Sequence, residues 1–170
     1  MNETAEFLRE CGAFMLLTVN DGKPAGRPFG AVTEIGGALY LSAGAGKPVF
    51  EQLKKNGNVQ IVALKAGTRD WIRVDGFAEE CFDMTVKAQM LNDCPNLLKY
   101  HATAQDETFH AFRVTVASAK LYTASGMRDL LENEYKKASD HRKPFSLQFL
   151  IPPKRLRSAV IVRVIDVAEV

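Results

Sequence analysis

Apolar and polar positions along the chain fall into short runs separated by turn residues, and the runs read mostly as strands. A short helix opens the chain. Asn2 or Thr4 can cap it, Phe7 and Leu8 form its inward face, and Glu3 and Glu6 sit near its positive end before it stops around Cys11-Gly12. Ala13 to Val19 (AFMLLTV) is apolar and β-compatible, and Asn20-Asp21-Gly22-Lys23 supplies a tight hairpin turn. The next strand is predicted from Ala25 to Ile35. Pro24 and Pro28 break its start, which marks an edge, a bulge or backbone facing a ligand. Gly36-Gly37 then turns the chain into ALYLSA, from Ala38 to Ala43.

Val49, Phe50 and Leu53 fall on one face of a helix that begins at Pro48 and stops at Asn56-Gly57, with Lys54 and Lys55 at its negative end. Asn58 to Ala66 and Asp70 to Cys81 are predicted strands around Gly67-Thr68-Arg69. Helices follow at Thr85 to Leu91 and in CPNLLKYH, and Phe109 to Thr123 forms a long closing strand. About six strands in a meander, with helices inserted at two points, do not give the order of alternating βα units. The fold class is mainly β, an antiparallel barrel or sandwich.

Beyond Thr123 the pattern changes. The chain divides into a domain over residues 1–124 and an extension over 125–170, in which Met127 to Lys143 reads as a charge-dense helix and the valine-rich SAVIVRVIDVAEV as a strand. The placement of this extension against the barrel is open.

Composition narrows the function classes. The 46% hydrophobic content of a 170-residue chain supports a real core. A formal net charge of +2 gives no field to draw the chain onto nucleic acid or an anionic membrane, and Lys154, Arg155 and Arg157 are too few to change that. Cys11, Cys81 and Cys94 are widely spaced and odd in number, which points to a reducing compartment and no structural metal. With no basic-then-apolar leader and no run of about 20 apolar residues, the expected location is the cytoplasm.

The stretch SAGAGKPV, Ser42 to Val49, carries the clearest chemistry. A glycine-rich turn with a lysine between a strand and a helix suggests a phosphate cradle. A triphosphate loop, however, needs a glycine where Leu41 stands and a hydroxyl where Pro48 stands. The alternatives left are a flexible turn, or a monophosphate site built from the Ser42 hydroxyl, the Lys47 ammonium and the first N–H groups of the helix. Arg27 in GKPAGRPFG can add a bidentate phosphate or carbonyl contact. His101, His110 and His141 show no catalytic or metal spacing and read as surface or strand histidines. Cys81 and Cys94 read as packing groups, and Tyr100 as packing around the helical insertion.

Taken in order, GKPxxRPFG, the Gly-Gly hairpin to LYLSA, GKPVFEQLKKN, VxIVAL and WIRVDGFA resemble the FMN-binding split-barrel proteins of the pyridoxamine 5′-phosphate oxidase-like superfamily. They are most similar to its small bacterial members related to general stress proteins. The resemblance covers about Phe7 to Tyr122 and implies a split β-barrel with FMN at a homodimer interface. By position it implies that Arg27, Pro28, Phe29 and Gly30 lie along the isoalloxazine ring. Ser42 and Ala43 would stand beside the ribityl phosphate, Lys47 would pair with that phosphate, and Val49 and Gln52 would face the cofactor. Trp71 and Arg73 would reach the flavin edge from the partner subunit.

The function implied is a flavin-dependent oxidoreductase acting on a small molecule, with NAD(P)H as electron donor and no catalytic side chain, because the flavin carries the electrons. The chain has a single tryptophan and no terminal Arg-Leu-x-Pro motif, so vitamin B6 oxidation is not carried over. Two rivals stand beside this reading: a flavin- or haem-binding stress protein without turnover, and a relative that uses the deazaflavin F420.

Overall fold

The computed structural model describes residues 2–131. Helix α1 (Glu3–Cys11) is capped by Asn2, whose Oδ1 accepts the Ala5 N–H at 2.9 Å. Strands β1 (Phe14–Asn20) and β2 (Lys23–Phe29) form the first hairpin. Then come β3 (Thr33–Ile35), β4 (Ala38–Gly44), helix α2 (Pro48–Lys55), β5 (Asn58–Leu64) and β6 (Trp71–Cys81). Helix α3 (Met84–Asp93) and a 3₁₀ turn over Pro95–Lys99 precede β7 (Phe109–Thr123) and β8 (Gly126–Asp129).

The eight strands form one antiparallel sheet in the order β2-β1-β5-β6-β7-β4-β3, with β8 on the same side of β7 as β4. One buried cluster contains Leu16 of β1, Leu41 of β4, Ile61 of β5 and Phe112 of β7, and Phe29 of β2 packs against it. Strands from both ends of the order share this interior, so the sheet curls on itself while β2 and β3 remain its unpaired edges. This is the split-barrel architecture that the resemblance implies.

Strand β4 explains its own unbroken apolar pattern. Leu39, Leu41 and Ala43 face the barrel interior, while Ala38 and Tyr40 face a second cluster made with Val86, Met90 and Leu91 of α3 and with Phe109 and Ala111 of β7. A strand buried on both faces loses its alternation. Val49, Leu53 and Phe50 of α2 pack against the barrel interior.

Three sequence expectations change. The single strand from Ala25 to Ile35 is two, because its first half pairs with β1 up to Phe29 and its second pairs with β4 from Thr33. Residues Gly30 to Val32 carry the chain between the two edges; Val32 is buried, and its carbonyl accepts from Arg9 Nε at 3.3 Å. With β8 this split raises six strands to eight. Met127 to Asp129 is strand rather than helix, since it pairs with Lys120 to Tyr122 and sends Leu130 into the main core. Leu130 and Leu131 are helical, as expected; the rest of that helix, His141, the KRLR segment and the valine-rich run lie outside the described residues. Tyr100 does not pack around the insertion; it is 77% exposed.

Gly57, between α2 and β5, marks a close backbone approach. A Cβ there would lie 2.4 Å from the Ala78 carbonyl oxygen and 2.8 Å from the Phe77 ring, while the Gly57 carbonyl accepts the Ala78 N–H at 2.7 Å. Gly57→Ala is expected to destabilise the protein by about 1–3 kcal/mol, the usual cost of forcing extra volume into a packed site. Urea denaturation of the two proteins checks this.

Candidate functional site

The β4–α2 turn is built by local rules. Gly46 takes φ 77°, a conformation that disfavours side chains, and Lys47 follows in extended geometry as the N-cap of α2, with Pro48 in the first turn. The turn is pinned from outside by the Ala45 N–H, which donates to the Thr108 carbonyl at 2.9 Å. Ser42 is half-buried and Lys47 is exposed, and neither side chain has a hydrogen-bond or ion-pair partner among the described residues. By strand alternation Ser42 and Gly44 share a face, the one turned away from Leu41 and Ala43.

On that face stands a residue that sequence spacing could not place. The His101 side chain is 9% exposed and its ring stacks on Phe109 at 4.7 Å. Its Nδ1 lies 3.3 Å from Asp106 Oδ2 and 3.4 Å from Thr108 Oγ1. A Cβ added to Gly44 would sit 3.7 Å from Lys47 Cγ and 4.0 Å from His101 Cε1, so the lysine stem and the imidazole flank one point of the turn. Hydrogen bonds from the Thr108 side chain and backbone hold the Asp106 carboxyl below the usual aspartate range.

Arg27 lies elsewhere. It pairs with Leu16 across β1–β2 and so points to the barrel interior. Its guanidinium donates to the Leu16 carbonyl at 3.2 Å, to Thr18 Oγ1 at 2.7 Å and to Gln52 Oε1 at 2.5 Å. The Thr18 hydroxyl donates to the same Gln52 oxygen at 2.7 Å. Thr18 and Gln52 are buried, and burial lowers the Arg27 pKa from its ordinary value. The structure therefore joins Arg27 to Gln52 and adds Thr18, which meets Arg27 across the hairpin and Gln52 from far along the chain. Arg27 is committed to holding α2 against β1 and β2, and its donors do not reach Ser42 or Lys47 as their partners.

The remaining candidates divide by environment. Ala43 and Val49 are core residues at 3% and 8% exposure. Phe29 packs against Phe14 with ring centroids 6.2 Å apart, whereas Pro28 and Gly30 are exposed on the β2 edge and the loop after it. Trp71 and Arg73 lie on the outer face of β6. Trp71 stacks on Tyr122 at 4.0 Å with the rings 4° from parallel, and Arg73 Nη2 donates to Tyr122 Oη at 3.0 Å. Arg73 is in register with Val62, Met15 and Pro28 across three strand spacings, roughly 14 Å from β2. A single chain does not bring Trp71 and Arg73 to the β4–α2 turn.

His110, like His101, has a partner after all: Nδ1 lies 2.5 Å from Glu80 Oε1, because β6 and β7 pair in register there. The cysteines are free thiols, and Cys94 packs with Thr33 and Val32. No cluster of His, Cys, Asp and Glu suited to a metal occurs among the described residues, and none of their helices is long and apolar enough to cross a membrane. A cavity of about 450 Å³ lies beyond the C-terminal end of α2 against Gly57 and Phe77, away from the β4–α2 turn.

Residues 1–123 match the family model described as pyridoxamine 5′-phosphate oxidase. The crystal structure of a NimC/NimA family protein from Clostridium acetobutylicum is 31% identical with a TM-score of 0.69, over 74% of this chain and 87% of that one. General Stress Protein 26 from Bacillus anthracis (18% identity, TM-score 0.60) is matched over 70% of this chain and 91% of its own. HutZ, the haem storage protein from Vibrio cholerae (19% identity, TM-score 0.57), is matched over 72% and 95%. The last two likenesses concern the fold alone. No curated protein sequence matches this chain.

Removing the shared acceptor should reveal the Arg27 network. Gln52→Leu is expected to destabilise the fold by about 1–3 kcal/mol, the cost of leaving a buried donor without its partner. In a double-mutant cycle with Arg27→Met, the combined loss should fall short of the sum of the single losses. Chemical denaturation of the four proteins measures both.

Proposed function

The chain belongs to the pyridoxamine 5′-phosphate oxidase family, and we propose that it binds FMN non-covalently between two copies of itself and acts as a flavin-dependent oxidoreductase on a small molecule. The observation that carries this reading is a pair of groups at the β4–α2 turn with no partner among the described residues: the Ser42 hydroxyl at the end of β4 and the Lys47 ammonium at the start of α2. A phosphate monoester is matched by such a set, a cation and a hydroxyl on the turn that leads into the positive end of a helix. Arg27 and Gln52 support the site from beneath by fixing α2. Bound FMN would supply the electron transfer, and the protein's part is to hold and orient it. NAD(P)H is the proposed donor.

The dimer is supported by the outer face of the sheet. Met15 is 42% exposed and Leu64 61%, with half-buried Val62 between them and half-buried Leu17 and exposed Pro28 alongside Met15. A second copy on this face would cover apolar surface and carry its Trp71 and Arg73 toward a cofactor held by the first. Haem, the cargo named for one structural neighbour, finds less support. The two described histidines are largely buried, His101 stacked on Phe109 and His110 tilted against Phe50, and neither offers an exposed imidazole to an iron.

Lys47→Ala is expected to weaken FMN binding by about 1–3 kcal/mol, the range for a charge-assisted hydrogen bond. Quenching of flavin fluorescence during titration of the protein measures it, and equal affinity in the two proteins would remove Lys47 from the site.

A further inference from the structure

We propose that Glu80 is a positioning residue for the Lys47 turn: its carboxylate ties α2, which carries Lys47, to β7, which flanks the strand carrying Ser42. The inference rests on the FMN reading above. Glu80 lies on β6 opposite Phe112, and its side chain is only 8% exposed. One oxygen accepts from Lys54 Nζ of α2 at 2.6 Å, and the other meets His110 Nδ1 of β7 at 2.5 Å.

Both arms end near the candidate site. Lys54 stands two turns along the same rigid helix from Lys47, roughly 10 Å at 1.5 Å per residue. His110 is the register partner of Ala43, the neighbour of Ser42. The Phe50 ring lies 4.4 Å from His110 and 6.0 Å from Phe112, so α2 packs on the same imidazole that the carboxylate holds.

A buried carboxylate is strongly unfavourable unless it is paired and hydrogen-bonded, which makes this arrangement demanding of geometry. Burial pushes the Glu80 carboxyl up, and the hydrogen bonds and charges of Lys54 and His110 pull it down further, leaving it below the ordinary glutamate value and ionised at neutral pH. The other charges nearby are less constraining. Lys55 pairs with Asp21 at 2.6 Å, but both side chains are more than 70% exposed, where an ion pair contributes little. Glu79 and Arg113 are register partners one position along β6, on the exposed face.

The test compares FMN with riboflavin, which lacks the phosphate, on the full chain and on Glu80→Gln and Lys54→Met. If the clasp sets the Lys47 turn, both substitutions lower FMN affinity by roughly two- to thirtyfold, the range for residues that act through others, and leave riboflavin affinity unchanged. Unchanged FMN affinity, or equal losses for FMN and riboflavin, would overturn the assignment. Lys54 is half exposed and its loss spares the core, so Lys54→Met decides the matter if Glu80→Gln does not fold. A wild-type protein that binds riboflavin and FMN equally, or neither, overturns the phosphate reading itself and this inference with it.

Discussion

A half-buried guanidinium needs acceptors, and the way this chain supplies them fixes much of the rest. Arg27 enters the barrel interior from β2, an edge strand, and finds the Leu16 carbonyl, the Thr18 hydroxyl and the Gln52 side-chain oxygen. Leaving its donors or their acceptors unpaired would cost about 1–3 kcal/mol, which favours one relative position of β1, β2 and α2. Once α2 is fixed, its N-terminal turn is fixed too, and with it Lys47. On the far side of the helix, Glu80 makes a second buried tie, to Lys54 and His110. The candidate phosphate turn is thus placed by two polar contacts beneath it and by the Ala45 to Thr108 backbone hydrogen bond beside it.

This arrangement separates positioning from binding. Sequence reasoning grouped Arg27, Gln52, Ser42 and Lys47 as one cofactor-facing set. In the structure the first two hydrogen-bond to each other, and the last two have no partner among the described residues. Charged and polar groups that are already satisfied gain little by reaching for a phosphate; unsatisfied ones gain more. On the outer face, Trp71 stacks on Tyr122 and Arg73 bonds to the same tyrosine, apart from the β4–α2 turn of the same chain. A flavin held between two copies would use both sets.

Features decided by neighbours in the chain were readable from sequence. Gly22, Gly36 and Gly37 at the hairpins, Pro48 at the start of α2 and Asn2 at the cap of α1 are local signals, and the elements they bound lie where expected. The division of β2 from β3 was not readable, because it depends on which edge of the curled sheet each half meets. Thr18 and Glu80 were missed for the same reason, since Gln52, Lys54 and His110 become their neighbours only on folding, whereas His101 bonds to Asp106 and Thr108 in its own loop, which has no regular spacing to reveal it. Met127 to Asp129 was misread because Arg128 and Asp129 look like a solvated helix face. Strand pairing with β7 and burial of Leu130 outweighed that local pattern.

Membership of the pyridoxamine 5′-phosphate oxidase family and a split barrel still allow different cargoes, so the cofactor is the claim on which the account turns. The absorbance spectrum of the freshly purified full chain tests it most directly. The account predicts the two-band visible spectrum of an oxidised flavin, with FMN released on denaturation. A Soret band from bound haem, or a colourless protein that takes up no added FMN, would contradict it.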